Sequence, residues 1–167
     1  VQASLTGHLV FSTLHTNDAP GAVSRLVDMG VEPYLVASSV EAILAQRLVR
    51  VLCPKCKTPE ISDRIPAIRK QGNLADDITI YQANGCESCR QTGYHGRQAI
   101  FEMMDMTKEV RQMALNHCSS GKLREQARKD GMTMLSEDGW RLVGRGITTP
   151  NEVMRVTKDE QASVGNV

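Results

Sequence analysis

Apolar and polar residues alternate along the chain with helical spacing in some stretches and strand-like spacing in others. Val1 to Leu5 followed by Thr6-Gly7 reads as the tail of a helix that Gly7 ends. His8 to His15 carries Leu9, Val10, Phe11 and Leu14 on both faces, which predicts a short, buried, parallel-type strand. Asp18 is placed to cap a helix over Ala19–Met29, with Pro20 in its first turn and Gly30 as its stop. Pro33 to Gln46 predicts a second helix with Leu35, Val36, Val40, Ile43 and Leu44 inward, and Leu48–Leu52 a strand. Strand, helix, helix, strand is an α/β order.

The pattern then breaks. Cys53 to Gly96 is polar, rich in turn residues and hard to assign, and reads as a separate lobe too thin to hold itself together. Arg97–Met104 returns to strand-like sequence. Helices follow from Thr107, from Ser119 or Ser120, and over Leu135–Arg145. Thr149-Pro150-Asn151-Glu152 reads as a capping box before a short last helix, with fraying expected from about Lys158. The organisation expected is 1–52, 53–96, 97–160 and a tail over 161–167.

Composition narrows the possibilities. The 167 residues are 41% hydrophobic, enough for a packed core, but hold only one Trp, three Tyr and two Phe. The core therefore rests on aliphatic residues and Met. A net charge of +1 with few stacking aromatics argues against a nucleic-acid partner. The most apolar stretch, Tyr34–Leu52, is interrupted by Glu41, Gln46, Arg47 and Arg50, so no transmembrane segment is expected. No signal peptide is read, which makes the cytoplasm the expected compartment. The first residue is Val, which suggests a cut or processed fragment.

The strongest chemical signal is Cys53-Pro54-Lys55-Cys56, then 29 residues, then Cys86-Glu87-Ser88-Cys89. Two Cys-x-x-Cys turns supply the four thiolates of a tetrahedral Zn²⁺ site. Structural zinc brings roughly 10–16 kcal/mol of apparent binding free energy, which a thin lobe lacks. Reduced cysteine pairs and a redox dithiol are the alternatives, and His95 is an alternative fourth ligand. Cys118 reads as a plain thiol. His8 and His15 bracket the first predicted strand on opposite faces. His15 closes it, and ligands of parallel sheets bind beyond the carboxyl ends of strands. The chain contains no Gly-x-x-x-x-Gly-Lys-Ser/Thr. At its one Gly-Lys, Gly121-Lys122, Asn116 stands at the upstream glycine position and Leu123 at the hydroxyl position.

Four motifs carry a resemblance. Leu5 to Ala19 (LTGHLVFSTLHTNDA) resembles the His box of the type II secretion and type IV pilus assembly ATPases, and Ala45–Arg50 (AQRLVR) the motif that follows it. The cysteine pairs are similar to that family's tetracysteine module, and Gly93–Glu102 (GYHGRQAIFE) to the segment after it. The resemblance implies an α/β fold: the C-terminal part of a RecA-like P-loop ATPase core, an inserted zinc lobe and a helical C-terminal subdomain. It implies a homo-hexameric cytoplasmic motor that uses ATP and Mg²⁺ and docks on inner-membrane platform proteins. His8 and His15 would face nucleotide, with His15 nearer the terminal phosphate. Arg47 and Arg97 would lie near a nucleotide or subunit interface. The phosphate-binding loop, Asp box and Walker B of the family would lie upstream of Val1, leaving this stretch inactive alone. A zinc-ribbon nucleic-acid module and a structural adaptor are the competing readings.

Overall fold

The computed structural model describes residues 1–158 and divides into two compact units. The first contains Val1–Ala45 and Phe101–Met134, the second Gln46–Ile100 and residues 135–158. These units cut the chain differently from boundaries at 52 and 96. The helices after Thr107 are divided between them.

In the first unit, α1 (Gln2–Leu5) leads into an irregular segment over residues 8–16. The buried strand expected at His8–His15 does not form. A strand needs a neighbour to take its backbone hydrogen bonds, and the sheets among the described residues pair other segments. Leu9 and Phe11 are 84% and 88% exposed. Helix α2 (Ala19–Asp28) follows, with Asp18 Oδ1 accepting from Gly21 N at 2.8 Å as an N-cap. Gly30, at φ +89°, lets the chain leave it.

Helix α3 (Pro33–Ser39) is shorter than the helix expected to reach Gln46, because strand β1 (Ala42–Leu52) takes over after Val40. Alternating exposure along β1 is the strand period of two, which the helical reading of Ile43 and Leu44 overlooked. Strand β1 is hydrogen-bonded to a long strand over Tyr94–Asp105. Beyond that strand come a helix over Lys108–Leu115, capped by Thr107, and another over Ser120–Lys129. Val23, Val36, Met104, Val110, Leu123 and Ala127 form the core of this unit.

Two buried acids tie it together. Asp18 is ion-paired with Arg124, and Glu102, 1% exposed, accepts from Ala19 N at 2.8 Å. Both carboxylates lie at the amino end of α2, where the helix dipole favours negative charge. Arg111 donates to Met106 O (2.7 Å), to Ala37 O and to Glu41 Oε2 (2.8 Å), joining α3, the start of β1 and the Lys108–Leu115 helix.

The second unit holds both cysteine pairs. Between them run β2 (Thr58–Pro59), α4 (Ile65–Gly72) and β3 (Tyr81–Gln82); β4 (Tyr94–Asp105) follows the second pair, its residues up to Ile100 in this unit and the rest in the first. Strands β2 and β3 pair antiparallel, Thr58 opposite Gln82 and Pro59 opposite Tyr81. With α5 (Lys108–Leu115) and α6 (Ser120–Lys129) in the first unit, the second unit ends in α7 (Leu135–Gly144) and α8 (Pro150–Val156). Ile80, Trp140, Val143 and Val153 form its core, flanked by Ile65, Ile68 and Leu74. The segment between the cysteine pairs thus shares a core with the last two helices. At Gly72 a Cβ would lie 2.4 Å from Trp140 Cε3, so the backbone of α4 passes close to that ring.

The capping box at Thr149 is half formed. Thr149 Oγ1 accepts from Glu152 N at 3.3 Å. The Glu152 carboxylate, rather than returning to the cap, accepts from Arg50 Nη2 (2.6 Å), Arg50 N (3.1 Å) and Arg155 Nη2 (2.9 Å). Two cations and a backbone amide outbid one cap amide for a buried acid. The expected fraying lies outside the described residues from position 159 on, as does the 161–167 tail.

Candidate functional site

Each cysteine pair sits on a tight backbone turn. At the end of β1, Cys56 N and Lys57 N both donate to Cys53 O, at 3.3 and 3.0 Å, turning the chain back on itself. After β3, a 3₁₀ turn over Glu87–Cys89 carries the second pair, with Cys89 N and Gln91 N donating to Cys86 O at 3.2 and 2.9 Å. Gly93 closes this turn at φ +75°. A Cβ there would come within 2.3 Å of Asn84 O, so only glycine fits. Cys53 N donates to Gly93 O at 2.9 Å, and Asn84 Nδ2 donates to Cys56 O at 3.1 Å. These bonds and the β2–β3 pairing bring the two turns together.

All four sulfurs lie within 4.8 Å of one another. Cys53–Cys86 and Cys56–Cys89 are 3.9 Å apart, Cys86–Cys89 3.6 Å, and none is in a disulfide. Tetrahedral zinc with bonds of about 2.3 Å separates its sulfurs by about 3.8 Å. The spacing therefore fits a metal ion such as zinc. Cys53 and Cys89 are buried, so the site is closed on one side by protein.

The thiols are electrostatically unequal. Burial, together with hydrogen bonds from the neighbouring thiols, pushes Cys56 up to about 12. At Cys89 burial acts in the same direction but is outweighed by donors to its sulfur, Cys86 N at 3.3 Å and Gly93 N at 3.2 Å, and the thiol falls to about 6. A metal ion is held by the thiolate forms, so its binding releases the thiol protons. His95 is exposed and does not belong to the cluster, nor does Cys118.

The other candidate residues are divided between the two units. His8 and His15 belong to the first unit and both are exposed. His8 Nδ1 lies 3.0 Å from Thr6 Oγ1 and 3.2 Å from Ala3 O, a local link to the end of α1. His15 stands three residues ahead of the Asp18 cap. In the second unit, Arg47 is half-buried on β1, and Arg97 is exposed in an open recess of about 510 Å³ lined with Arg50, Thr92, Tyr94 and Gly96. The Arg50 guanidinium lies over the Tyr94 ring, 4.0 Å from its centroid.

Residues 1–155 match the family model for type II/IV secretion system proteins. The chain belongs to this family. Among its relatives, type II secretion system protein E of Pseudomonas aeruginosa is 48% identical over 160 residues, covering 96% of this chain and 32% of the relative. Type IV pilus assembly ATPase PilB of Myxococcus xanthus is 45% identical over 164 residues, covering 96% of this chain and 29% of the relative. Type II secretion system ATPase E of Vibrio cholerae is 43% identical over 159 residues, covering 95% and 31%. The chain thus spans about a third of the length of these relatives. No helix among its described residues is long and apolar enough to cross a membrane.

The cysteine cluster is legible in the sequence, whereas the partners of the buried acids are not. Asp18 is the expected cap and also pairs with Arg124, 106 residues away. Nothing local in the sequence marks such a pair. Glu102 did carry a signal: an acid between apolar residues in a strand that is buried on that face.

Proposed function

We propose that the chain is the C-terminal portion of a hexameric motor ATPase that powers type II secretion or type IV pilus assembly. Residues 1–52 contribute the end of a RecA-like core, 53–96 a structural Zn²⁺ lobe held by Cys53, Cys56, Cys86 and Cys89, and 97–160 a returning strand and helical part. The observation that carries the reading is the match over nearly the whole chain, at 43–48% identity, to proteins named for these machines.

In this reading zinc is structural, since four thiolates leave no open coordination position for substrate. Its contribution is to clamp the two turns. Catalysis belongs to the parent assembly, in which a phosphate-binding loop and Mg²⁺ hold the triphosphate. His15 adds a side chain that contacts the terminal phosphate, with His8 in the same nucleotide-facing segment. Arg47 and Arg97 act near a nucleotide or subunit interface. The exposed apolar side chains of Leu9 and Phe11 are then covered by the rest of the core. The motor works in the cytoplasm, against inner-membrane platform proteins.

The test is Mg²⁺-dependent ATP hydrolysis. The 167-residue chain alone, which has no Walker A sequence, is expected to be inactive. The parent protein is expected to hydrolyse ATP and to lose most of its kcat on His15→Ala. Turnover by the isolated chain, or a parent indifferent to His15→Ala, overturns the corresponding part.

A further inference from the structure

The recess in the second unit has an excess of positive charge. Arg50 and Arg155 share one carboxylate, that of Glu152, and Arg97 lines the same recess as Arg50. Of the residues lining the recess, the charged ones are Arg50 and Arg97, both cationic. Glu152 is held ionised: burial opposes this, but the hydrogen bonds from Arg50 and Arg155 outweigh burial and bring its carboxyl down to about 2.

Arg50 is also fixed in place. One edge is bonded to Glu152 through Nη2, and one face lies on Tyr94, whose hydroxyl is within 2.9 Å of Thr149 Oγ1. Thr148 Oγ1 donates to Arg50 O at 2.8 Å, securing the backbone. Ordering an arginine before a ligand arrives removes much of the entropic cost of binding. A guanidinium held this way is a preformed donor fork, matched in geometry to an oxyanion. The floor is equally rigid: Thr92 Oγ1 donates to Cys89 O at 2.6 Å, and Tyr94 N donates back to Thr92 Oγ1 at 3.3 Å. The recess is thus built on the second cysteine turn. The recess is open, and its volume of about 510 Å³ exceeds a single phosphate.

We propose that this recess binds a phosphoryl oxyanion between Arg50 and Arg97. The inference gives a ligand chemistry to the interface role proposed for Arg97 and in that respect rests on it. ATP hydrolysis, which tests the motor reading, is not what the following experiment measures.

The experiment is titration of the zinc-loaded chain with inorganic triphosphate, followed through the arginine Nε–Hε resonances. ATP and vesicles of phosphatidylglycerol serve as parallel probes. Saturable shifts of Arg50 and Arg97 are expected. Affinity should fall about tenfold in Arg97→Ala, an exposed position whose loss leaves the fold intact, and also in Arg50→Lys, which keeps the charge but loses the fork. A response to triphosphate and ATP identifies a soluble phosphate chain as the source, and a response to vesicles alone a lipid headgroup. Unmoved arginine resonances with all three probes, or equal affinity in wild type and Arg97→Ala, overturn the proposal. So does a shift that only a poly-glutamate peptide produces, which would assign the recess to carboxylates.

Discussion

Arg50 and Glu152 stand 102 residues apart and share a hydrogen bond of 2.6 Å. The carboxylate is 2% exposed while the guanidinium still reaches solvent, so the pair is buried on its acidic side only. It links the strand leading into the first cysteine turn to the last helix of the second unit.

This pair makes stability depend on acid. Burial disfavours the Glu152 carboxylate, yet the bonds from Arg50 and Arg155 hold its carboxyl at about 2, below the ordinary range near 4.3. A depressed carboxyl stabilises the fold above its unfolded value, and the contribution is lost as pH falls towards 2. Glu152→Gln should cost about 2 kcal/mol at pH 7. Urea midpoints of the two proteins should converge between about pH 5 and pH 2. A gap that stays constant over that range would show that ionisation of Glu152 is not what stabilises.

Zinc content is the second expectation. Mass spectrometry under native conditions should find one zinc per chain. Chelation should lower the melting temperature and change the fluorescence of Trp140, which packs on α4 between the cysteine turns. Cys89→Ser should reproduce the chelated state, whereas Cys118→Ser should not. Metal-free protein with an unchanged melt would remove the metal reading.

A third test concerns Gly72. A Cβ there would press on the Trp140 ring at 2.4 Å, so Gly72→Val should cost roughly 1–3 kcal/mol through overpacking and shift Trp140 emission. An unaltered spectrum and melt would mean that α4 does not lie against α7 in solution.

The Asp18–Arg124 pair gives the fourth. Asp18→Ala removes a helix cap and strands a buried cation, at about 4 kcal/mol in all. Adding Arg124→Met should restore a large part, because the stranded charge goes with it. A double variant no more stable than the single one would leave the cap as the whole effect.

What could be read from the sequence followed the range of the forces involved. Helix starts at Asp18, Thr107 and Thr149 were legible because a cap bonds within three residues. The cysteine cluster was legible because its chemistry allows few alternatives. Residues 8–15 misled, since an apolar run shows only that a segment can be buried, not that a sheet is there to bury it. The Pro33–Gln46 helix misled because Ile43 and Leu44 fit both periods. Glu152 looked like a cap residue because the local pattern is a capping box. Its partner Arg50 is set by the tertiary fold, where sequence spacing carries no information.

The two units are interleaved: each is assembled from two stretches of the chain, with the other unit's residues in between. A nascent chain leaving the ribosome cannot finish the first unit until Met134 has emerged, nor the second until α8 has. The four cysteines all lie between positions 53 and 89, so with metal present their knot closes before either core is complete. It would then be the earliest fixed point of the fold, holding β1 beside the start of β4 while the rest of the polypeptide is still being made. Thiol labelling of stalled nascent chains would reveal this as cysteine protection that precedes burial of Trp140.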